Sequence, residues 1–261
     1  MTVVNKEKLG HFYTREGLAA YESKMKEIRE HGYLPSPTTI LGAASAFNLT
    51  RWQREQVGIA AWKNPPTGNE MKVWINERLE EADQVTKQYA DFGSNFHDGA
   101  EAILLGNEWD ESDPWLIKFE AWARANVIDV KWTEATLVHP SFLFAGRADA
   151  LVDHQEHGTV LLDFKTRRLK RLKSGKFSCS SARYDKDIRQ LAAYADCIQP
   201  KPQVMNIYVH RDEPADPVEY LWPEEKQAEG LDAFMALAEY WCLDKKYDPR
   251  KWVAAEEEVA A

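Results

Sequence analysis

The order of periodicities along the chain predicts an α/β (mixed α+β) fold, a central mixed β-sheet flanked by helices with a helical N-terminal extension. Two observations carry this. Up to about residue 126 the apolar residues recur at helical spacing, and from 132 to 165 the period becomes that of three short strands. After that, helix, strand, strand and helix follow in turn, as in one sheet with helices laid on it. Residues 1–261 are expected to form a single domain: a helical part over 1–85, a core over 86–210, and a closing strand and helix over 211–261.

Residues 14–31 read as an amphipathic helix rich in Lys and Glu, stopped by Gly32 and the Pro35–Pro37 break. LPSPTTILGAAS is a short loop feeding a helical turn, and a helix over about 49–63 holds Trp52 and Trp62. NPPTGNE interrupts. A long helix then spans about 70–105, with Phe92, Phe96, Ala100 and Ile103 on one face, and a Trp-rich helix follows over 114–126. Residues 132–138 and 142–152 read as strands joined by a turn at His139-Pro140-Ser141, with a third strand over 159–165. The segment 166–183 is a basic loop, and 185–198 is a helix facing the core with Ile188, Leu191, Ala192 and Ala195. VMNIYVH (204–210) reads as an alternating strand and VEYLW (217–221) as another; Pro223 opens a last helix with Leu231, Phe234, Met235 and Ala238 on one face.

Composition is that of a soluble globular protein, 44% hydrophobic and 29% charged. No apolar run approaches a membrane span, and the start MTVVNKEKLG lacks a signal-peptide core, so an intracellular, cytoplasmic protein without membrane contact is expected. Cys179, Cys197 and Cys242 are odd in number and far apart, which suggests neither a disulfide framework nor a Cys-rich metal site. A net charge of −9 argues against nonspecific coating of nucleic acid. Yet KTRRLKRLKSGK (165–176) has seven bases and no acid, while the tail carries Glu256, Glu257 and Glu258.

The centre of the chain is 146–165, GRADALVDHQEHGTVLLDFK, which reads as a β-hairpin with an aspartate in each apolar run. A turn near Gln155–Glu156 sets Asp149 almost opposite Asp163, and strand period puts Lys165 on the face of Asp163. Six [DE]-x-K triplets occur, beginning at Glu22, Glu70, Asp129, Asp163, Glu224 and Asp244, but only Asp163 interrupts an apolar run beside an aspartate-bearing strand. An isolated buried carboxylate costs free energy unless something uses it, and a divalent cation is the obvious user.

Four further residues lie within reach of that hairpin. His97 sits at the edge of the apolar face of its helix, with Gly93 one turn before and Glu101 one turn after, where it could orient the imidazole; a half-buried histidine bonded to Glu101 is the plain alternative. Gln190 and Tyr194 share a stripe of the helix after the hairpin, which could equally be a polar flank. Glu134 lies in the strand before it and could be merely exposed. Most of the ten tryptophans fall at helical spacing and read as packing residues.

His97, Gly146-Arg147-Ala148-Asp149, Asp163-Phe164-Lys165 and Gln190-Leu191-Ala192-Ala193-Tyr194 occur in the order α-β-β-α over roughly 90–210. This resembles the PD-(D/E)XK nuclease superfamily, and within it the RecB-like exonuclease branch. That branch takes in CRISPR-associated exonucleases, the mitochondrial genome maintenance exonuclease and many phage exonucleases. LPSPTTILG with the Trp52 helix also resembles the leader of phage-encoded members. Ala148 stands where the superfamily's namesake proline would be, and the cysteines that hold an iron–sulfur cluster in some relatives are missing, so no such cluster is expected.

The resemblance implies a restriction-endonuclease-like core and a metal-dependent DNA exonuclease of phage recombination, repair or end processing. It would work on DNA with free ends in a bacterial cytoplasm, beside a recombination or annealing protein. Asp149 and Asp163 would hold Mg²⁺ or Mn²⁺; His97 would add a nitrogen ligand, favouring Mn²⁺, and the Phe164 carbonyl a further oxygen. Lys165 would orient or deprotonate the attacking water, or neutralise the transition state, and Glu134 joins it as a catalytic candidate. Gln190 and Tyr194 would position the strand or the scissile phosphate. Arg167, Arg168, Lys170, Arg171, Lys173 and Lys176 suit phosphates beside the site, or form a solvated loop. A catalytically idle DNA-binding module and an endonuclease on the same fold are the alternatives.

Overall fold

The computed structural model describes residues 11–21, 24–44, 47–66 and 71–252. Its first elements correct the expected helix over 14–31. Phe12–Tyr13 (β1) and Ala19–Ala20 (β2) pair as a small antiparallel hairpin, and only Met25–His31 (α1) is helical. The turn is the reason: Gly17 takes φ 85°, its N–H donates to the Thr14 carbonyl, and Leu18 N donates to Thr14 Oγ1. Gly32, at φ 68°, ends α1 as expected. Leu34–Pro35 (β3) pairs with β1, and Ser36 caps Pro37–Leu41 (α2) by accepting from Thr39 N at 3.1 Å.

Phe47–Lys63 (α3), Met71–Leu104 (α4) and Pro114–Asn126 (α5) lie close to their expected bounds. Asp113 caps α5 with Pro114 in its first turn, so its start is written in the sequence. The chain passes from α5 directly into Val127–Val138 (β4), five residues earlier than expected. Ala145–His154 (β5), Gly158–Arg167 (β6), Lys170–Arg171 (β7), Phe177–Ser178 (β8), Asp185–Asp196 (α6), Gln203–His210 (β9), Val218–Leu221 (β10) and Glu224–Lys245 (α7) complete the order. β5 starts at 145 rather than 142, because Phe142, at φ 54°, belongs to the turn that His139 closes.

The main sheet runs β10-β9-β6-β5-β4, antiparallel except for the parallel pair β6/β9, which the segment carrying α6 connects. On one face Phe96 and Ala100 of α4 and Leu116, Phe119 and Trp122 of α5 pack on Ala150, Val152, Leu162, Phe164, Met205 and Ile207. On the other, Ile188, Leu191 and Tyr194 of α6 pack on Leu151, Leu161, Val204 and Trp222. α7 lies behind α6, where a Cβ on Gly230 would come within 3.3 Å of the Ile188 backbone. With helices on both faces, every residue of 204–210 is buried, so β9 is not the alternating strand expected from VMNIYVH. Among the described residues no helix is long and apolar enough to cross a membrane.

Candidate metal centre

Register brings the acids together. In the β4/β5 ladder the pairs Thr133↔Ala150 and Ala135↔Ala148 leave Glu134 across from Asp149. In β5/β6 the pairing Ala150↔Leu162 ends one step before Asp149 and Asp163, so these two stand across from each other where the ladder opens. Asp163 is in turn paired with Asn206 of β9. Glu134, Asp149, Asp163 and Asn206 thus form one row over four adjacent strands. Like charges in directly opposed positions repel. Glu134 shows the consequence: burial first, then the Asp149 charge, push its carboxyl up to about 7, against the pull of Arg147 and His97. Its backbone sits at φ 47°, a left-handed conformation rare for such a residue.

His97 comes down on this row from α4. Its Nε2 is 3.1 Å from the Phe164 carbonyl, and its Nδ1 is 3.5 Å from Asp149 Oδ2. A carbonyl can only accept, so this contact puts a ring proton on Nε2, and Nδ1 is the nitrogen that faces Asp149. One ligand atom each from His97, Glu134 and Asp149 lie within 4.8 Å of one another. Oxygen ligands on opposite sides of one Mg²⁺ or Ca²⁺ ion are about 4–5 Å apart, so this donor set could hold a divalent cation. Asp149 Oδ2 also accepts from Phe164 N at 2.7 Å, tying the carboxylate to the next strand.

The grouping differs from the expectation in three respects, the first being that Asp163, expected as a ligand, is not among the three. Glu134, expected as a catalytic group, stands among the possible ligands. The Phe164 carbonyl, expected as a ligand, accepts from His97 instead. Asp163 lies next along the row and is held by other partners. Lys165 Nζ lies 2.7 and 2.6 Å from its two oxygens, and Asn206 Nδ2 donates to Oδ2 at 2.6 Å. Burial raises the Asp163 carboxyl above the usual range, with Lys165 opposing and Asp149 adding to the rise. Burial works against the Lys165 ammonium, but Asp163, Asp187 and Asp149 outweigh it and keep the group charged.

Tyr194 is buried, with Gln190 hydrogen-bonded to its hydroxyl, and burial holds that hydroxyl protonated. The ring lies over Gly146, where a Cβ would come 3.0 Å from the hydroxyl and 2.7 Å from Pro37 Cδ. The glycine of G-x-x-D is therefore room for the tyrosine of Q-x-x-x-Y. Gln190 is the member of that pair still partly open to solvent. Glu101 accepts from Thr133 Oγ1 at 3.3 Å, while both imidazole nitrogens of His97 are turned to other partners. Gly93 does allow a close approach: a Cβ there would come 3.2 Å from Thr166 Oγ1.

The basic segment is the largest departure. Arg167 points inward, donating to both oxygens of buried Asp187 (2.6 and 2.7 Å) and to the Ala182 carbonyl. Arg168 pairs with Asp212 and Arg171 with Glu213, each at 2.6 Å, in the turn after β9. Lys170, Lys173 and Lys176 are exposed on the β7–β8 hairpin. Sequence reasoning could not see these acids because they arrive from α6 and from the turn after β9. It also missed Asn206, although an asparagine inside VMNIYVH was the visible sign.

A second constellation resembles a nucleophile triad. His139 Nε2 is 3.3 Å from Asp196, and its Nδ1 is 2.8 Å from Ser141 Oγ. The amide of Ser141 points at the same Nδ1 and that of Phe142 at the His139 carbonyl, so neither is left to stabilise an oxyanion. This is a turn closed by its own side chains. Compared with known proteins, the chain matches no family model and no curated protein.

Proposed function

We propose that the chain is a divalent-metal-dependent deoxyribonuclease, hydrolysing phosphodiester bonds from DNA ends, of the RecB-like PD-(D/E)XK kind that its motif order resembles. One observation carries this reading. His97, Glu134 and Asp149 converge within 4.8 Å, beside an Asp163–Lys165 pair at the same level of the sheet. A structural ion pair would need neither the repelling row of acids nor a histidine nitrogen turned onto it.

His97, Glu134 and Asp149 would hold the ion, with Asp163 the next carboxylate along. Mg²⁺ or Mn²⁺, when bound, would supply Lewis acidity and a water acidic enough to ionise near neutral pH. The imidazole among the ligands tilts the preference toward Mn²⁺. Lys165, an ammonium pinned by Asp163, lends positive charge to the phosphoryl oxygens as the transition state forms. Gln190, anchored through Tyr194, offers an amide to the strand. Lys170, Lys173 and Lys176 give phosphate contacts without sequence preference. A role in phage recombination or repair, in a bacterial cytoplasm, belongs to the same proposal.

The test is an end-labelled DNA assay with Mg²⁺ or Mn²⁺ on linear single strands, linear duplex and covalently closed circles. Linear DNA is expected to be degraded and circles spared. Asp163→Ala and Lys165→Ala should each abolish degradation with the circular dichroism spectrum unchanged. Cut circles make the protein an endonuclease. Binding of ends without cutting, in either metal, makes it an idle binding module. Undiminished activity of either variant removes the proposed chemistry.

A further inference from the structure

Resting on that reading, we infer that Asn206, aimed by Trp222, is a positioning residue that selects which oxygen of Asp163 is offered to a cation. Neither residue belongs to the motif set that suggested the nuclease. Trp222 Nε1 donates to Asn206 Oδ1 at 2.7 Å, and Asn206 Nδ2 donates to Asp163 Oδ2 at 2.6 Å and to the Asp163 carbonyl at 3.2 Å. Behind them, Gln227 Nε2 donates to the Trp222 carbonyl at 2.8 Å. An indole N–H can only donate. It therefore fixes the amide with its oxygen toward Trp222 and its NH₂ toward Asp163, a choice the shape of an asparagine leaves open.

The consequence lies in the lone pairs. A carboxylate oxygen has two acceptor positions. On Asp163 Oδ2, Asn206 Nδ2 takes one by a hydrogen bond, and the Lys165 ammonium stands 2.6 Å away as an ion pair. On Oδ1 one is taken, by Lys165 Nζ at 2.7 Å. Oδ1 thus faces one partner and Oδ2 two, and Asn206 makes the difference. Asn206 is fully buried and Trp222 nearly so, so the relay is cut off from water that could replace its bonds. Its direction runs from the start of α7, through the β10–α7 junction and β9, to β6. A flipped amide would set its oxygen against Oδ2 and turn the carboxylate away.

The test measures Mn²⁺ affinity by calorimetry on the full, DNA-free chain, and separately kcat and KM on linear DNA. Groups that hydrogen-bond a metal ligand are worth about 10–100-fold in affinity or activity. Asn206→Ala is expected at the upper end of that range. Trp222→Phe, which keeps an aromatic ring in place and removes only the aiming N–H, is expected to weaken Mn²⁺ about 10-fold. In both, kcat should fall with KM for DNA little changed. Met205→Leu, next to Asn206 and packed in the opposite core, should bind Mn²⁺ as the parent does. Should Asn206→Ala fail to fold, Trp222→Phe decides. Parent protein that takes up no Mn²⁺ removes the metal-centre reading and this proposal together. Parent that binds Mn²⁺, with Trp222→Phe and Asn206→Ala binding it equally well, removes this proposal alone.

Discussion

Replacing Arg167 by alanine separates a strut from a DNA contact. Its guanidinium donates to both oxygens of Asp187 and to the Ala182 carbonyl, and stacks 4.4 Å over the Tyr184 ring. Asp187 is 2% exposed. Without the arginine, its carboxylate keeps the Tyr208 hydroxyl and the Tyr184 N–H, each at 3.2 Å, and no cation in contact. Breaking a buried pair from one side costs about 3–5 kcal/mol. The Arg167 side chain is 22% exposed and two donors remain, which places the loss near the lower end, about 3 kcal/mol. In a protein of this size that lowers Tm by roughly 6–12 °C. Arg168→Ala and Arg171→Ala break exposed pairs and should each change stability by less than about 1 kcal/mol. Urea unfolding and thermal melts measure this. The double variant Arg167→Met/Asp187→Leu should recover part of the loss but not all, because the buried Tyr208 hydroxyl then lacks its acceptor. An Arg167→Ala protein of parental stability that binds DNA more weakly would refute the reasoning.

Two further outcomes follow from the same geometry. With the Glu134 carboxyl pushed up to about 7, the native state holds a proton that the unfolded chain has already released. Metal-free stability should therefore fall as pH rises from about 4.5 to 7; Glu134→Gln should flatten that slope and be more stable at pH 8 by on the order of 1–2 kcal/mol, after allowing for the lost Arg147 pair. Gly146→Ala places a Cβ 2.7 Å from Pro37 Cδ and 3.0 Å from the Tyr194 hydroxyl, so urea unfolding should show a loss of about 1–3 kcal/mol from crowding, without the positive-φ strain that Gly106→Ala would meet in open space.

Local signals in this chain were readable where a cap or a breaker marks them. Asp113-Pro114 wrote the start of α5 and Gly32 the end of α1. Where one element passes into the next without punctuation, as from Asn126 to Val127, the boundary was invisible. Residues 14–20 misled because their composition suits a helix, while one glycine at positive φ closes a hairpin. The hairpin around Asp149 and Asp163 could be read because its turn and register are local. Arg167 could not be told from Arg168 and Arg171, since what distinguishes it is Asp187, twenty residues on and delivered by the fold. Glu134 was legible only as an acid in a strand; its place opposite Asp149 comes from the register of β4, which a bulge between Val130 and Trp132 resets.

Charge explains why the row should exist at all. Glu134, Asp149 and Asp163 bring three acids to one level of the sheet, and Arg147 and Lys165 bring two bases, each paired with an acid at 2.6 Å. With all three acids ionised, these five groups carry a net charge of minus one, and two unit charges 5 Å apart still interact by about 3 kcal/mol at an effective dielectric of 20. A fold needing only stability would close that deficit with a third base or an amide. It spends an amide, Asn206, on Asp163 instead, and leaves Asp149 with a backbone N–H and a histidine. On the proposed reading the deficit is the function: a divalent cation turns the site's net charge from minus one to plus one. That is the charge a passing phosphodiester neutralises. On that reading a monovalent ion would leave the site neutral and without hold on the DNA, so cleavage should be seen with Mg²⁺ or Mn²⁺ and not with K⁺ alone.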